Sequence, residues 1–248
     1  MIQSTRAIAF IVIQITVLVI LLTVQLPLRL LLASDPPRPP VKDNPDSEPA
    51  GTRSSCGTNE LTTSLPFTPL LPGTTSNFSA KTVSQHPTFW FYIPYQNQDI
   101  QSGNFSLYNL DQKKTIYRTD FKLPEIPGFV SITLPQDKNP LNINTKYRWT
   151  IILNCSSPNP QTSEGGFVTH EGIIERVALS SDLQQQLQTA NLSERLDLYI
   201  KNNLWYDATA DLVEIRRFST DWLNLLKALK LQELEQQPIS GSVLLLEN

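Results

Sequence analysis

Apolar and polar residues alternate with different rhythms along the chain, and each rhythm predicts a different element. From Ala7 to Val24 there are 18 uncharged residues, broken only by a few neutral polar ones such as Gln14 and Thr16. With Arg6 and the terminal amine in front, this pattern predicts an N-terminal hydrophobic helix serving as a signal peptide or a signal anchor. The run suits a span, which needs roughly 18 residues or more. Ala33 offers a cleavage point, although Leu31 fits the small-residue rule poorly. Residues 34–57 then lose all periodicity and are rich in Pro and Ser, which predicts a semi-rigid linker. Leu65, Phe67, Leu70 and Leu71 form a lead-in able to tuck against a sheet.

From about Thr82 to Leu179 the period is two. Strands are expected at Thr88–Ile93, Asn104–Leu110, Thr115–Phe121, Phe129–Leu134, Lys146–Cys155 and Phe167–Ala178. Tyr147, Trp149, Ile151 and Leu153 share one face of the fifth, with Arg148 and Thr150 opposite. Turn residues separate the runs at 109–113, 124–128, 135–140 and 156–166. After Leu179 the period becomes helical. Ser180 or Ser181 caps one helix, Asn191 to Glu194 starts a second, and Asn202-Asn203 ends it. A helix over Trp205–Phe218 and another from Asp221 follow. The tail offers Val243 to Leu246 for docking.

The expected class is α+β: an antiparallel immunoglobulin-like β-sandwich followed by a small C-terminal helical subdomain. Its helices resemble one tetratricopeptide pair. The divisions are 1–33 for the N-terminal segment, 34–57 for the linker, 58–179 for the sandwich, 180–237 for the helices and 238–248 for the tail.

Charge changes this picture little. The balance of 20 basic and 23 acidic residues gives −3, so nothing in it points to nucleic acid. Cysteine changes it more. Cys56 and Cys155 are the only thiols. In an oxidising compartment such a pair is expected to form a disulfide that ties the lead-in to the end of the Trp149 strand.

Chemistry is sparse. The residues that most suggest binding are Trp90, Tyr92 and Tyr95, because aromatics on an exposed strand face stack on sugar rings or proline-rich peptides. Yet Phe89, Phe91 and Ile93 alternate with them, so both faces are apolar, as in a central strand covered on both sides. His86 and His170 are the only imidazoles. On a strand, Glu171 and Glu175 share one face about 13 Å apart while His170 points to the other, which is no metal cluster. No catalytic residue, metal site or cofactor motif is expected.

Several separated segments resemble one family. They are Gln85-His86-Pro87-Thr88-Phe89-Trp90-Phe91-Tyr92-Ile93-Pro94-Tyr95, Ile116-Tyr117-Arg118-Thr119, Pro127-Gly128-Phe129-Val130-Ser131-Ile132, Tyr147-Arg148-Trp149 and Leu204-Trp205-Tyr206-Asp207-Ala208. The chain from roughly Leu70 to Gln237 is similar to the cyanobacterial domain-of-unknown-function family numbered 928. The resemblance implies an exported cyanobacterial protein and assigns no activity. The leading expectation is a non-enzymatic extracytoplasmic envelope protein, in the periplasm or held at the inner membrane through Ala7–Val24. It would bind an envelope protein partner or a cell-wall component. A carbohydrate-binding module using exposed aromatics and a hydrolase of unrecognised type are the alternatives.

Overall fold

The structure, a computed structural model, describes residue 56 and residues 65–73, 78–157 and 166–246. Residues 49–248 cluster as one compact unit. The membrane anchor expected through Ala7–Val24 does not stand. No helix among the described residues is long and apolar enough to cross a membrane. The helix Ser219–Leu229 has only 11 residues, against the roughly 18 that a span needs. Ala7–Val24 itself lies outside the described residues, as does the 34–57 linker apart from Cys56.

The six strands expected between Thr88 and Ala178 form, as β3 to β8 below, and two short strands precede them. They are β1 (Thr68–Pro69), β2 (Phe78–Thr82), β3 (Thr88–Ile93), β4 (Ile100–Asn109), β5 (Lys114–Lys122), β6 (Gly128–Thr133), β7 (Thr145–Cys155) and β8 (Phe167–Arg176). The tail adds β9 (Ile239–Ser242) and β10 (Leu244–Leu246). They build a four-stranded sheet ordered β1-β3-β6-β9 and a six-stranded sheet ordered β10-β5-β4-β7-β8-β2. The class is therefore mixed α+β with two open sheets. Their inner faces meet through aromatic rings. Phe89 lies 4.9 Å from Phe105, and Phe91 lies 5.6 Å from Trp149.

Two pairings are parallel, β2 with β8 and β6 with β9. Both recruit chain from outside the central run of strands, which a period-two pattern cannot reveal. Two glycines permit close approach. A Cβ at Gly172 would meet the Trp149 ring at 2.4 Å, so the indole packs on bare strand. At Gly128 (φ +151°) a Cβ would meet the Pro238 carbonyl, where the tail enters the small sheet.

The helices are α1 (Ser181–Thr189), α2 (Leu192–Lys201), α3 (Trp205–Ala208), α4 (Leu212–Ile215) and α5 (Ser219–Leu229). Ser180 caps α1 through the Leu183 N–H, and Asn191 with Glu194 makes a capping box on α2. The single helix expected over Trp205–Phe218 is split. The first piece, α3, lasts one turn, and at its end the Thr209 hydroxyl and N–H both donate to the Trp205 carbonyl. Trp222 of α5 then packs on Phe129 of β6 at 5.2 Å, which in turn touches Tyr92 of β3. The outer side of the small sheet is thus under helices.

Candidate functional site

The binding aromatics expected from the sequence are in the core. Trp90 is 7% exposed, Tyr92 1% and Tyr95 8%. The Tyr92 hydroxyl donates to the Gln237 side chain at 3.1 Å, and burial pushes the Tyr95 phenol above its ordinary pKa. Rings so enclosed present no face to a sugar. The alternation of apolar residues on both sides of β3 was the signal, and it belongs to a strand covered twice.

The histidines are also occupied locally. His170 on β8 makes a 2.8 Å hydrogen bond from Nε2 to the Phe67 carbonyl and sits against the Phe67 and Phe78 rings. Desolvation pulls its pKa down, opposed by that hydrogen bond. It pins the lead-in to the large sheet. His86 Nε2 is 3.1 Å from the Lys138 carbonyl. Neither meets a carboxylate, and among the described residues no group of three or more His, Cys, Asp and Glu could hold a metal. Cys56 and Cys155 form the expected disulfide, with Cα atoms 5.0 Å apart and a sequence separation of 99.

The segment Leu204 to Ala208 builds the most polar buried arrangement, at the junction of helices and sheets. The turn before α3 brings the Asn203 carbonyl to the Lys81 N–H at 2.9 Å, occupying part of the free edge of β2. Tyr206 enters beside Phe89 at 5.2 Å. Its hydroxyl accepts from Trp149 Nε1 at 2.6 Å and donates to the Ile173 carbonyl at 3.3 Å. Asp207 accepts from the Thr82 hydroxyl at 3.2 Å and the Val83 N–H at 3.1 Å. Burial pushes its carboxyl up to about 6, while those donors pull the other way. The network holds α3 against β2 and β3, and each of its hydroxyls is hydrogen-bonded within it. A sequence signal existed, since Asp207 sits amid apolar residues, but its partners lie more than 100 residues away.

The remaining accessible surface of note is the outer face of the six-stranded sheet. Asn104, Ser106 and Tyr108 of β4 point there, with Arg118 and Asp120 of β5, and all are at least partly exposed. So do Lys146, Arg148, Thr150 and Ile152 of β7, opposite Glu171, Ile173 and Glu175 of β8. Register pairing fixes rows across the strands: Arg118-Ser106-Thr150-Glu171 is one, and Tyr108-Arg148-Ile173 is the next. The Arg148 guanidinium lies 5.3 Å from the Tyr108 ring centroid.

Comparison with known proteins adds one assignment. No curated protein and no solved structure matches the chain. The model of the family described as Domain of Unknown Function (DUF928) matches residues 48–239, a span that takes in β1 to β8, the helical layer and the disulfide. The chain therefore belongs to the DUF928 family.

Proposed function

We propose that this chain is an extracytoplasmic, non-enzymatic interaction or structural module of the cell envelope, and that it binds through the open outer face of the six-stranded sheet. One observation carries the reading. The outer face of the small sheet lies under Trp222 and its helix, whereas the outward residues of β4, β5, β7 and β8 all keep solvent contact. A broad sheet face left bare beside a fully dressed one is a surface available for binding. The disulfide supports an oxidising compartment outside the cytoplasm. The cyanobacterial source implied by the sequence motifs belongs to the same reading.

The finer fold assignment goes with it. An immunoglobulin-like arrangement is supported by β5-β4-β7-β8 in one sheet and β3-β6 in the other, with β2 crossing to pair with β8. The tetratricopeptide-like description of the helical part rests on the spacing of Leu204, Trp205, Tyr206, Asp207 and Ala208.

The test is retention from envelope extracts by the immobilised full-length chain. Wild type should retain a component that the face-blocking double variant Ser106→Trp/Thr150→Trp does not, while both melt alike. Equal retention by the two, or none by either, removes the reading.

A further inference from the structure

We propose that the β4–β5–β7 part of this open face binds an acidic polysaccharide, a chain of carboxylated or sulfated sugars, along the line Lys146, Arg148, Arg118. The inference rests on the interaction reading above and names the chemistry of the partner.

Charge is the first argument. The full chain carries −3. Against that background Lys114, Arg118, Lys122, Lys146 and Arg148 gather on two strands of one sheet face and its adjoining hairpin. None of them is in an ion pair: among the described residues the ion pairs are Lys138–Asp137 and Arg217–Glu214. The carboxylates nearest in register are Asp111, Asp120, Glu171 and Glu175. Asp120 accepts from Asn104 Nδ2 at 2.7 Å. Glu175 stands opposite Lys146 in register but forms no ion pair with it. With no carboxylate partner, these cations have no ion pair to break on meeting an external anion, and the one internal contact, Arg148 over the Tyr108 ring, leaves the guanidinium edge free to donate.

Shape and surface chemistry are the second. Arg118 and Arg148 stand two strands and two residues apart, about 12 Å, and Lys146 lies about 7 Å beyond Arg148. Ser106 and Thr150 fill the space between the arginines and offer hydroxyls to sugar hydroxyls. A protein partner calls for an apolar, charge-poor centre. Of the large exposed hydrophobics, Leu244 on β10 and Phe167 on β8 flank this sheet, opposite Lys122 and Asn154, but none lies on β4, β5 or β7, so the middle of the face has no apolar centre. An extended acidic chain needs no such centre. A nucleic acid strand favours open aromatic platforms, and the Tyr108 ring is already stacked with Arg148.

The experiment passes the full-length chain over immobilised polygalacturonate, neutral dextran, single-stranded DNA and an acidic protein. Retention is expected on polygalacturonate and not on dextran, weakening about tenfold as salt rises from about 0.05 M to about 0.5 M. The variant Arg118→Ser/Lys146→Ser/Arg148→Ser should bind about tenfold more weakly. The charge-matched control Lys201→Ser/Arg217→Ser/Lys227→Ser, in the helical layer, should bind as wild type does. If the triple face variant melts early, Arg118→Ser alone serves, with a smaller loss in the same direction. No retention on polygalacturonate, equal retention by face variant and control, or equal retention on single-stranded DNA or acidic protein overturns the proposal. If polygalacturonate fails while an envelope component is still captured in a manner blocked by Ser106→Trp/Thr150→Trp, only the glycan assignment falls. If both fail, the interaction reading falls with it.

Discussion

The two sheets treat their outer faces in opposite ways. In the four-stranded sheet, β3 reads Thr-Phe-Trp-Phe-Tyr-Ile and is buried at every position after the first. In the six-stranded sheet, β7 alternates strictly, buried at Tyr147, Trp149, Ile151, Leu153 and Cys155 and open between them. The difference shows what the helical layer is for: it supplies the second cover that an apolar strand needs, because neither face of β3 tolerates water. The large sheet needs no cover and keeps a polar face free.

The comparison breaks first if Trp90 is dispensable. Trp90→Ala should cost about 3–5 kcal/mol in urea unfolding, the toll of an emptied aromatic core site. A cost under about 1 kcal/mol would mean that the helical layer does not seal the small sheet.

Next in size is the disulfide. Breaking it with Cys56→Ser/Cys155→Ser should cost about 2–5 kcal/mol, since it closes a loop of 99 residues. An unchanged midpoint with and without reductant would show that the lead-in does not depend on the staple.

The helix junction comes third and carries a pH signature. Asp207 has a folded pKa of about 6 against an ordinary 3.8, so between these values the folded chain holds the proton more tightly than the unfolded chain. Its contribution to stability is therefore fully present below about pH 4 and is lost as pH rises through about 6, on the order of 3 kcal/mol in all. Asp207→Asn should remove that slope from the difference between variant and wild-type pH–stability curves. Parallel curves would show that the carboxyl is solvated rather than buried against Thr82 and Val83.

The smallest effect sharpens the contrast most. Arg118→Ser on the open face should alter stability by less than about 0.5 kcal/mol. A larger loss would mean that this face packs against something.

Much of the strand layout was legible. Observed β3 coincides with the expected run, and β7 begins one residue earlier than the pattern suggested, because alternation records burial on one side and β-branched and aromatic residues carry it. The split between α3 and α4 was not legible, since the apolar stripe of Ala208, Leu212 and Ile215 continues across the break between them. The binding aromatics were ambiguous for a similar reason. Period two cannot say whether a second layer returns over this face of the small sheet, and Trp222 of α5 does so at Phe129, beside Tyr92, from more than 90 residues downstream.

By itself the sequence determined the central run of strands from β3 to β8, which of their faces are apolar, where the first two helices begin and that Cys56 has Cys155 to pair with, because these depend on neighbours in the chain and on composition. Only the tertiary structure decided which apolar face is sealed and which polar face stays open. It also decided that Asp207 meets Thr82 and that the tail strands join both sheets. These depend on contacts between distant segments, and a local pattern of hydrophobicity holds no record of them.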